Sequence, residues 1–421
     1  MSTATLFAST PAQPRRPRVL QVITHLALGG AERVTINLMR GLREQFEFAL
    51  FAANGVEHSQ IGVSMKAELD EIGVPLFVGT SAPIKFGGML LAGMRSAKAV
   101  HRFHPDLIHL HTEIPESSHA TMVSLHPSLA RIPIVRTVHN TIYWHPWRKV
   151  GRWCDRHLAS SFIACVSQGA AEAFEQLRAE SGAGPLPQPP VIIHNGVDLQ
   201  PPPLRARTER SSSIVRILFA GRFEDQKGVD LFPEILKSVR PRGDRPCELV
   251  IYGAGSYEST LQSLASNPPP GWTIHLYGPV PDLSSRMSEF DLMIMPSRYE
   301  GLAMVAIEAA MLGLPVVATD APGLREGFPA EYPWLARAGD AQSFARLLQA
   351  VLDHPQTWDD VAQSAQQFAR EHFAVAGMCE EYRKLYERAL AAPSSLEVMG
   401  DVIDAGAAAD TTPELSVQMN Q

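Results

Sequence analysis

Apolar residues in this chain fall into short runs of strand length, each followed by a stretch with helical spacing. RVLQVIT, starting at Arg18, is rich in β-branched residues; Gly29-Gly30 follows, and then AERVTINLMRGLREQ, whose apolar positions recur every three to four residues. The spacing predicts a strand, a glycine turn and a helix. The same alternation continues through FEFALFAA, DLIHLHT, PIVRTVHN and SFIACVS. Near residue 200, VIIHNGVDLQ gives way to PPPLRARTERSSS, whose Pro, Arg and Ser content reads as a linker. A second series starts at IVRILFAGR and runs through CELVIYGAG, TIHLYG, DLMIMPS and LPVVATD, interleaved with helical patterns such as LFPEILKSV and LAMVAIEAAML. After Asp340 the pattern is helical, through QSFARLLQAVL and a long FAREHFAVAGMCEEYRKLYERAL.

Strands alternating with helices pair in parallel through right-handed crossovers, with both faces of the sheet covered. The predicted fold class is therefore α/β: two doubly wound domains facing across a cleft. The expected segments are a flexible arm at 1–17, a first domain at 18–200, a linker at 201–213, a second domain at 214–370, a final helix at 371–390 and a disordered tail at 391–421. Ligands of such sheets bind outside the carboxyl ends of the strands, so the turns after strands are where chemistry is expected.

Composition narrows the function classes. The 421 residues are about three times the ~150 typical of one domain, and 45% apolar with 19% charged residues excludes wholesale disorder. A net charge of −7 argues against a dedicated nucleic-acid binder. That charge is uneven: residues 1–200 hold 18 Lys and Arg against 15 Asp and Glu, so the first domain tolerates an anionic partner. Cys154, Cys165, Cys247 and Cys379 are widely spaced without a CxxC pair, as in the reduced thiols of a cytosolic protein. The N-terminus lacks the pattern of a secretory signal, the run from Phe86 to Met94 is too short to span a bilayer, and Leu302 to Ala318 is interrupted by Glu308 and Pro315. A cytoplasmic protein, at most peripheral at the membrane, is expected.

The sharpest candidate site follows DLMIMPS: Arg298-Tyr299-Glu300-Gly301-Leu302-Ala303, then a helical run carrying Glu308. On one continuous helix, Glu300 and Glu308 would project from the same side, and the amides of Gly301 to Ala303 at its start would bind an anion. Glu308 lies among Val305, Ala306, Ile307, Ala309, Ala310 and Met311, and a carboxylate so placed needs a partner. Carboxylates that accept hydroxyl hydrogen bonds beside an anion site suit a ligand with sugar hydroxyls and phosphate. A second constellation is AGRFEDQKG, where Arg222 and Lys227 follow a strand and could neutralise a diphosphate, or simply form a basic loop.

Other motifs are weaker. Gly253 and Gly255 in YGAG are turn glycines rather than a dinucleotide fingerprint, because the third glycine position holds Glu258. Gly29 and Gly30 are open to the same reading. His109 and His111 alternate on a strand with Glu113 beyond, but no third ligand is specified, and they read as structural; no metal site is expected. His139 at another strand end is a better cleft candidate, with a core or capping role as the alternative. In HNTIYWHPWRKVGRWCDRH, residues 139–157, Tyr143, Trp144, Trp147 and Trp153 interleave with Arg148, Lys149, Arg152 and Arg156, which suits a membrane interface or an anionic acceptor, or else helix packing.

Taken in order, GGAER, PDLIHLH, VRTVHN, VSQGA, HNGVD, AGRFEDQKG, YGAG, LYGPVPD, PSRYEGLAMVAIEA and GLPVVATDAPGLRE resemble glycosyltransferase family 4 over roughly Arg18 to Leu390. The resemblance implies the GT-B fold, two Rossmann-like domains with a last helix crossing back to the first. It also implies a retaining hexosyltransferase that moves a sugar from a UDP- or GDP-sugar to an acceptor hydroxyl, without cofactor or metal. The acceptor would be a glycan or lipid-linked glycan in polysaccharide biosynthesis. By that resemblance Glu308 binds the ribose hydroxyls and Glu300 the transferred sugar. Arg222 and Lys227 contact the diphosphate, and Gly301 and Leu302 supply backbone donors. Gly255 and Val280 lie around the nucleotide, His139 lies near the donor sugar, and Gly29 and Gly30 form the acceptor-side loop. Ala303 departs from the second glycine many relatives carry, which bears on donor choice. A nucleotide-sugar epimerase and a non-catalytic sugar-nucleotide-binding scaffold are the alternatives on this fold.

Overall fold

The computed structural model describes residues 15–27, 29–57, 60–82, 87–199, 213–281 and 283–392. Most of the expected arm (1–14), most of the linker (201–212) and most of the tail (393–421) lie outside the described residues.

Seven parallel strands form the first sheet: β1 (Arg18–Ile23), β2 (Glu47–Ala52), β3 (Leu76–Val78), β4 (Leu107–His111), β5 (Ile134–Val138), β6 (Phe162–Cys165) and β7 (Val191–Ile192), in the order β3-β2-β1-β4-β5-β6-β7. The second sheet has six: β8 (Val215–Ala220), β9 (Cys247–Tyr252), β10 (Trp272–Tyr277), β11 (Leu292–Met295), β12 (Val316–Thr319) and β13 (Leu335–Ala336), in the order β10-β9-β8-β11-β12-β13. In both, the order reverses beside the first strand, which opens a crevice at the carboxyl ends of β1 and β4 and of β8 and β11. The central strands are buried on both faces; all of β4, β5, β6, β11 and β12 is buried, and these strands are apolar except for His109, His111, Arg136, Thr137 and Thr319. The edge strands β3 and β13 are too short to leave an alternation in the sequence.

The C-terminal run read as one long helix is two: Trp358–His372 and Val375–Ala391. Between them Ala374 is extended and pairs with Val197, and the Val197 amide donates to the Phe373 carbonyl at 2.8 Å. The chain thereby crosses to the first domain. Gly196 permits the crossing, since a Cβ there would sit 2.5 Å from the Val375 Cα. The Val375–Ala391 helix then packs on the Gly30–Leu42 helix, with Met378, Cys379, Tyr382, Leu385, Tyr386 and Ala389 buried.

Beneath the first sheet lies a fully buried ion cluster. Arg136 of β5 bonds Asp155 at 3.0 Å, Glu116 at 3.1 Å and the Tyr143 hydroxyl at 3.0 Å. The Trp144 indole N–H donates to Glu116 at 3.2 Å. Of the readings open for this segment, Tyr143 and Trp144 follow the packing one: they are buried as partners of Glu116, and Gly151 gives Trp144 room, since a Cβ would lie 2.3 Å from its ring. Of the other aromatic and basic residues in 139–157, Arg148, Arg152 and Trp153 are half-buried, and Trp147, Lys149 and Arg156 are exposed. Replacing Arg136 with Met should leave Glu116 without a cation, while Asp155 keeps Arg178, and cost about 3–5 kcal/mol. Urea unfolding followed by circular dichroism measures it, and a loss below ~1 kcal/mol would show the cluster to be energetically idle.

Candidate active site between the two sheets

The carboxyl ends of the two sheets meet. Gly301, in the loop after β11, lies against the loop after β5 so closely that a Cβ would be 1.7 Å from the His139 carbonyl oxygen. A Cβ on Gly30, after β1, would be 3.4 Å from the Met304 side chain, and one on Gly169, after β6, 3.5 Å from Pro322. Glu326 of the second domain accepts from the Gln168 and Gly169 amides at 2.6 and 3.2 Å, satisfying the start of the Gln168–Ser181 helix from across the cleft. His139, Gly30 and Gly301 are thus brought together.

Glu300 does not share a helix with Glu308. The helix starts at Met304, and Gly301 to Ala303 form an irregular approach to it. The turn is fixed by Gly323, whose positive φ places it where a Cβ would be 2.1 Å from the Glu300 carbonyl. Glu300 is buried and ion-paired: Lys227 Nζ lies 2.7 and 2.9 Å from its two oxygens, and Ser297 Oγ donates to it at 2.7 Å. Lys227 comes from the loop after β8, folded back by Gly228, where a Cβ would be 2.0 Å from the Pro296 carbonyl. Among the described residues, the amides of Gly301 to Met304 find no backbone acceptor, so they are available to an anion. Leu302 itself is buried.

Arg222 is exposed on the same loop, holding Gln226 at 2.6 Å, while Gln226 donates to the Tyr299 carbonyl at 3.2 Å. Gly255 lies under this loop; its Cβ would meet the Phe223 carbonyl at 2.6 Å. Val280 sits beyond the carboxyl end of β10. Glu308 forms no side-chain hydrogen bond or ion pair among the described residues, and burial pushes its carboxyl up to about 7, opposed by Arg33 of the first domain. Glu32, in the quoted GGAER run but not singled out there, behaves alike: burial raises it to about 7 against the pull of Arg222. Ser297, Glu326 and Glu32 are site residues that the motif reading missed. All three lie inside the quoted runs GGAER, PSRYEGLAMVAIEA and GLPVVATDAPGLRE, and that membership is the signal each carried.

His139 is held by burial down to about 3, so it is neutral, and its Nε2 lies 3.0 Å from His111 Nδ1. His109 and His111 are fully buried and hydrogen-bonded at both ring nitrogens. No group of three or more His, Cys, Asp or Glu arranged to hold a metal occurs among the described residues.

Two family models match the chain without overlap: Glycosyltransferase Family 4 over residues 28–201, and Glycosyl transferases group 1 over residues 214–354. Together they cover about three quarters of it. The chain belongs to the group 1, family 4-type glycosyltransferases. It is similar to EpsF of Bacillus subtilis, named as a glycosyltransferase, at 26% identity over 333 residues, 72% of this chain and 79% of that one. It is also similar to TuaC of Bacillus subtilis, named for teichuronic acid biosynthesis, at 28% identity over 276 residues, 62% of this chain and 66% of that one. The fold matches the crystal structure of Anabaena HepE in complex with UDP and glucose, with a TM-score of 0.70, 20% identity, and 89% and 100% of the two chains covered.

The candidate site also stores a cost that pH reveals. Glu308 is raised from 4.5 to about 7, so its protonated form is favoured in the fold, and stability falls as pH rises from about 4.5 to about 7. Glu308→Gln, uncharged throughout, should match the parent near pH 4 and be more stable by roughly 1–3 kcal/mol at pH 8. Thermal unfolding at the two pH values tests this; equal shifts at both would sink it.

Proposed function

We propose that this glycosyltransferase moves a sugar from a nucleoside-diphosphate sugar to an acceptor hydroxyl with retention of anomeric configuration. The observation that carries the reading is the Lys227–Glu300 pair at 2.7 Å, set between Arg222, the unpaired amides of Gly301 to Met304 and His139 across the cleft. A diphosphate would sit on those amides and draw Arg222 and Lys227 to its oxygens, stabilising the charge that develops as the glycosidic bond breaks. Release of Lys227 frees the Glu300 carboxylate toward the sugar, where it would position hydroxyls and offset positive charge at the anomeric carbon. Glu308, desolvated and without a hydrogen-bond or ion-pair partner among the described residues, is suited to accept hydrogen bonds from two ribose hydroxyls. The positive charge that a metal would supply comes in this reading from the two side chains. The departing diphosphate would take the acceptor proton on the same face, so no separate base is assigned.

UDP and glucose bound to HepE support a nucleotide-sugar donor, and the name of TuaC supports a glycan acceptor in polysaccharide biosynthesis. A panel of UDP-, GDP- and ADP-sugars, read by thermal shift, should show one nucleotide series that stabilises by about 2.7 kcal/mol at a hundredfold excess over Kd. Arg222→Ala should abolish the shift, and turnover should require an acceptor. Stabilisation without turnover on any acceptor would favour a binding scaffold; sugar isomerisation without acceptor would favour an epimerase.

A lipid-linked acceptor fits one face of the first domain. On the Gly88–Phe103 helix, Leu90, Leu91 and Met94 are 42–53% exposed, followed on the same side by Arg95, Lys98 and Arg102, and the helix has no acidic residue. Among the described residues no helix is long and apolar enough to cross a membrane. Such a face fits an anionic bilayer surface. Sedimentation should show binding to phosphatidylglycerol but not to phosphatidylcholine vesicles, lost with Leu90→Glu and Met94→Glu together; equal binding by the double variant would overturn the assignment.

A further inference from the structure

The Gln168–Ser181 helix begins beyond the carboxyl end of β6 with no acidic residue in its first turn. Ser167 caps it in part, its side chain accepting from the Ala170 amide at 3.1 Å. Two further donors at this helix start are taken by the other domain. The Glu326 carboxylate accepts from the Gln168 amide at 2.6 Å and from the Gly169 amide at 3.2 Å. A carboxylate on the free amides at the positive end of a helix makes charge-assisted hydrogen bonds, stronger than neutral ones. The neighbouring glycine contacts, Gly301 on the His139 carbonyl and Gly169 on Pro322, bring the domains close without polar attraction of their own. Glu326 supplies that attraction.

A short, rigid segment joins Glu326 to Glu300. The Ala321 carbonyl accepts from the Leu324 and Arg325 amides at 3.1 and 3.0 Å, and Ala321 and Leu324 are fully buried. Arg325 is turned back onto the Pro329 and Ala330 carbonyls, while Glu326 is turned to the first domain. At the other end the Pro322 carbonyl accepts from the Glu300 amide at 2.9 Å, and Gly323 packs on the Glu300 carbonyl. Docking of Glu326 on the helix start therefore sets where Glu300 stands relative to the first domain. In the donor-site reading, the groups that hold the nucleotide (Arg222, Lys227, Glu308 and the amides of Gly301 to Met304) all belong to the second domain, whereas His139 and the Gly29-Gly30 turn belong to the first. Loss of the contact would spare nucleotide binding and disturb what needs both domains.

We propose that Glu326 is a positioning residue: by capping the Gln168–Ser181 helix from across the cleft, it registers Glu300 against the first domain for sugar transfer. This rests on the donor-site reading of Glu300. The helix cap is then part of how the two halves of the site are aligned.

Hydrogen exchange of the full-length, ligand-free protein reads the contact itself, and the amides of Gln168 and Gly169 should exchange roughly tenfold faster in Glu326→Ala than in the parent. Affinities for UDP, GDP and ADP, from thermal shifts, should agree between variant and parent within about twofold. Turnover of the matching nucleotide sugar, followed by release of its diphosphate, should fall roughly tenfold in kcat with the donor KM little changed. Glu326→Gln, whose amide oxygen still accepts from both backbone amides, should recover kcat to within about threefold of the parent. A Glu326→Ala protein with kcat within about twofold of the parent, unchanged exchange at Gln168 and Gly169, or equal losses of nucleotide affinity and turnover would each overturn the proposal. A parent that binds none of the nucleotides, while its exchange still differs from that of Glu326→Ala, would instead count against the donor-site reading.

Discussion

The architecture depends on the return of the last helix to the first domain. The extended residue Ala374, its pairing with Val197 and the absence of a Cβ on Gly196 carry the chain across, and the helix that follows buries Met378, Tyr382, Leu385 and Tyr386. Two sheets joined only by a linker would be free to face in any direction. A second covalent crossing, anchored in a core, restricts them to arrangements in which the strand carboxyl ends oppose each other. The close contacts of Gly301 with His139 and of Glu326 with the Gln168 helix start become possible for that reason.

Charge in the cleft follows from the same opposition. Lys227 and Glu300 come from different loops of one sheet and neutralise each other at 2.7 Å, whereas Arg222 and Glu32, or Arg33 and Glu308, belong to different domains and interact only at longer range. A site with cations and carboxylates held apart in a partly desolvated space is costly in the fold and useful to a ligand that carries both phosphates and hydroxyls. The first domain balances an opposite case: Arg136 is fully buried, but Glu116, Asp155 and Tyr143 engage its two terminal nitrogens, so that its charge is paired within the framework. The contrast between satisfied and unsatisfied buried charge separates framework from site.

The sequence by itself determined the two sheets, since continuous apolar runs of strand length alternating with helical spacing allow little besides parallel, doubly covered layers. It also marked the loops of the candidate site, because glycines and charges after strands stand out against those runs: Arg222, Lys227, Glu300, Gly301 and Glu308 are all visible in it. Local pattern was silent or misleading where a residue's environment comes from a distant part of the chain. For Tyr143 and Trp144 the local pattern left membrane, acceptor and helix packing all open, because their partner Glu116 lies in another helix. Glu300 and Glu308 read as neighbours on one helix because nothing local announces Gly323, which bends the loop between them out of helical geometry. His109 read as structural, but its partner Tyr386 is 277 residues away. Periodicity reports which face of an element is buried; only the tertiary structure decides what that face meets, because hydrogen bonds and ion pairs depend on a few ångströms between elements that the chain order leaves unspecified.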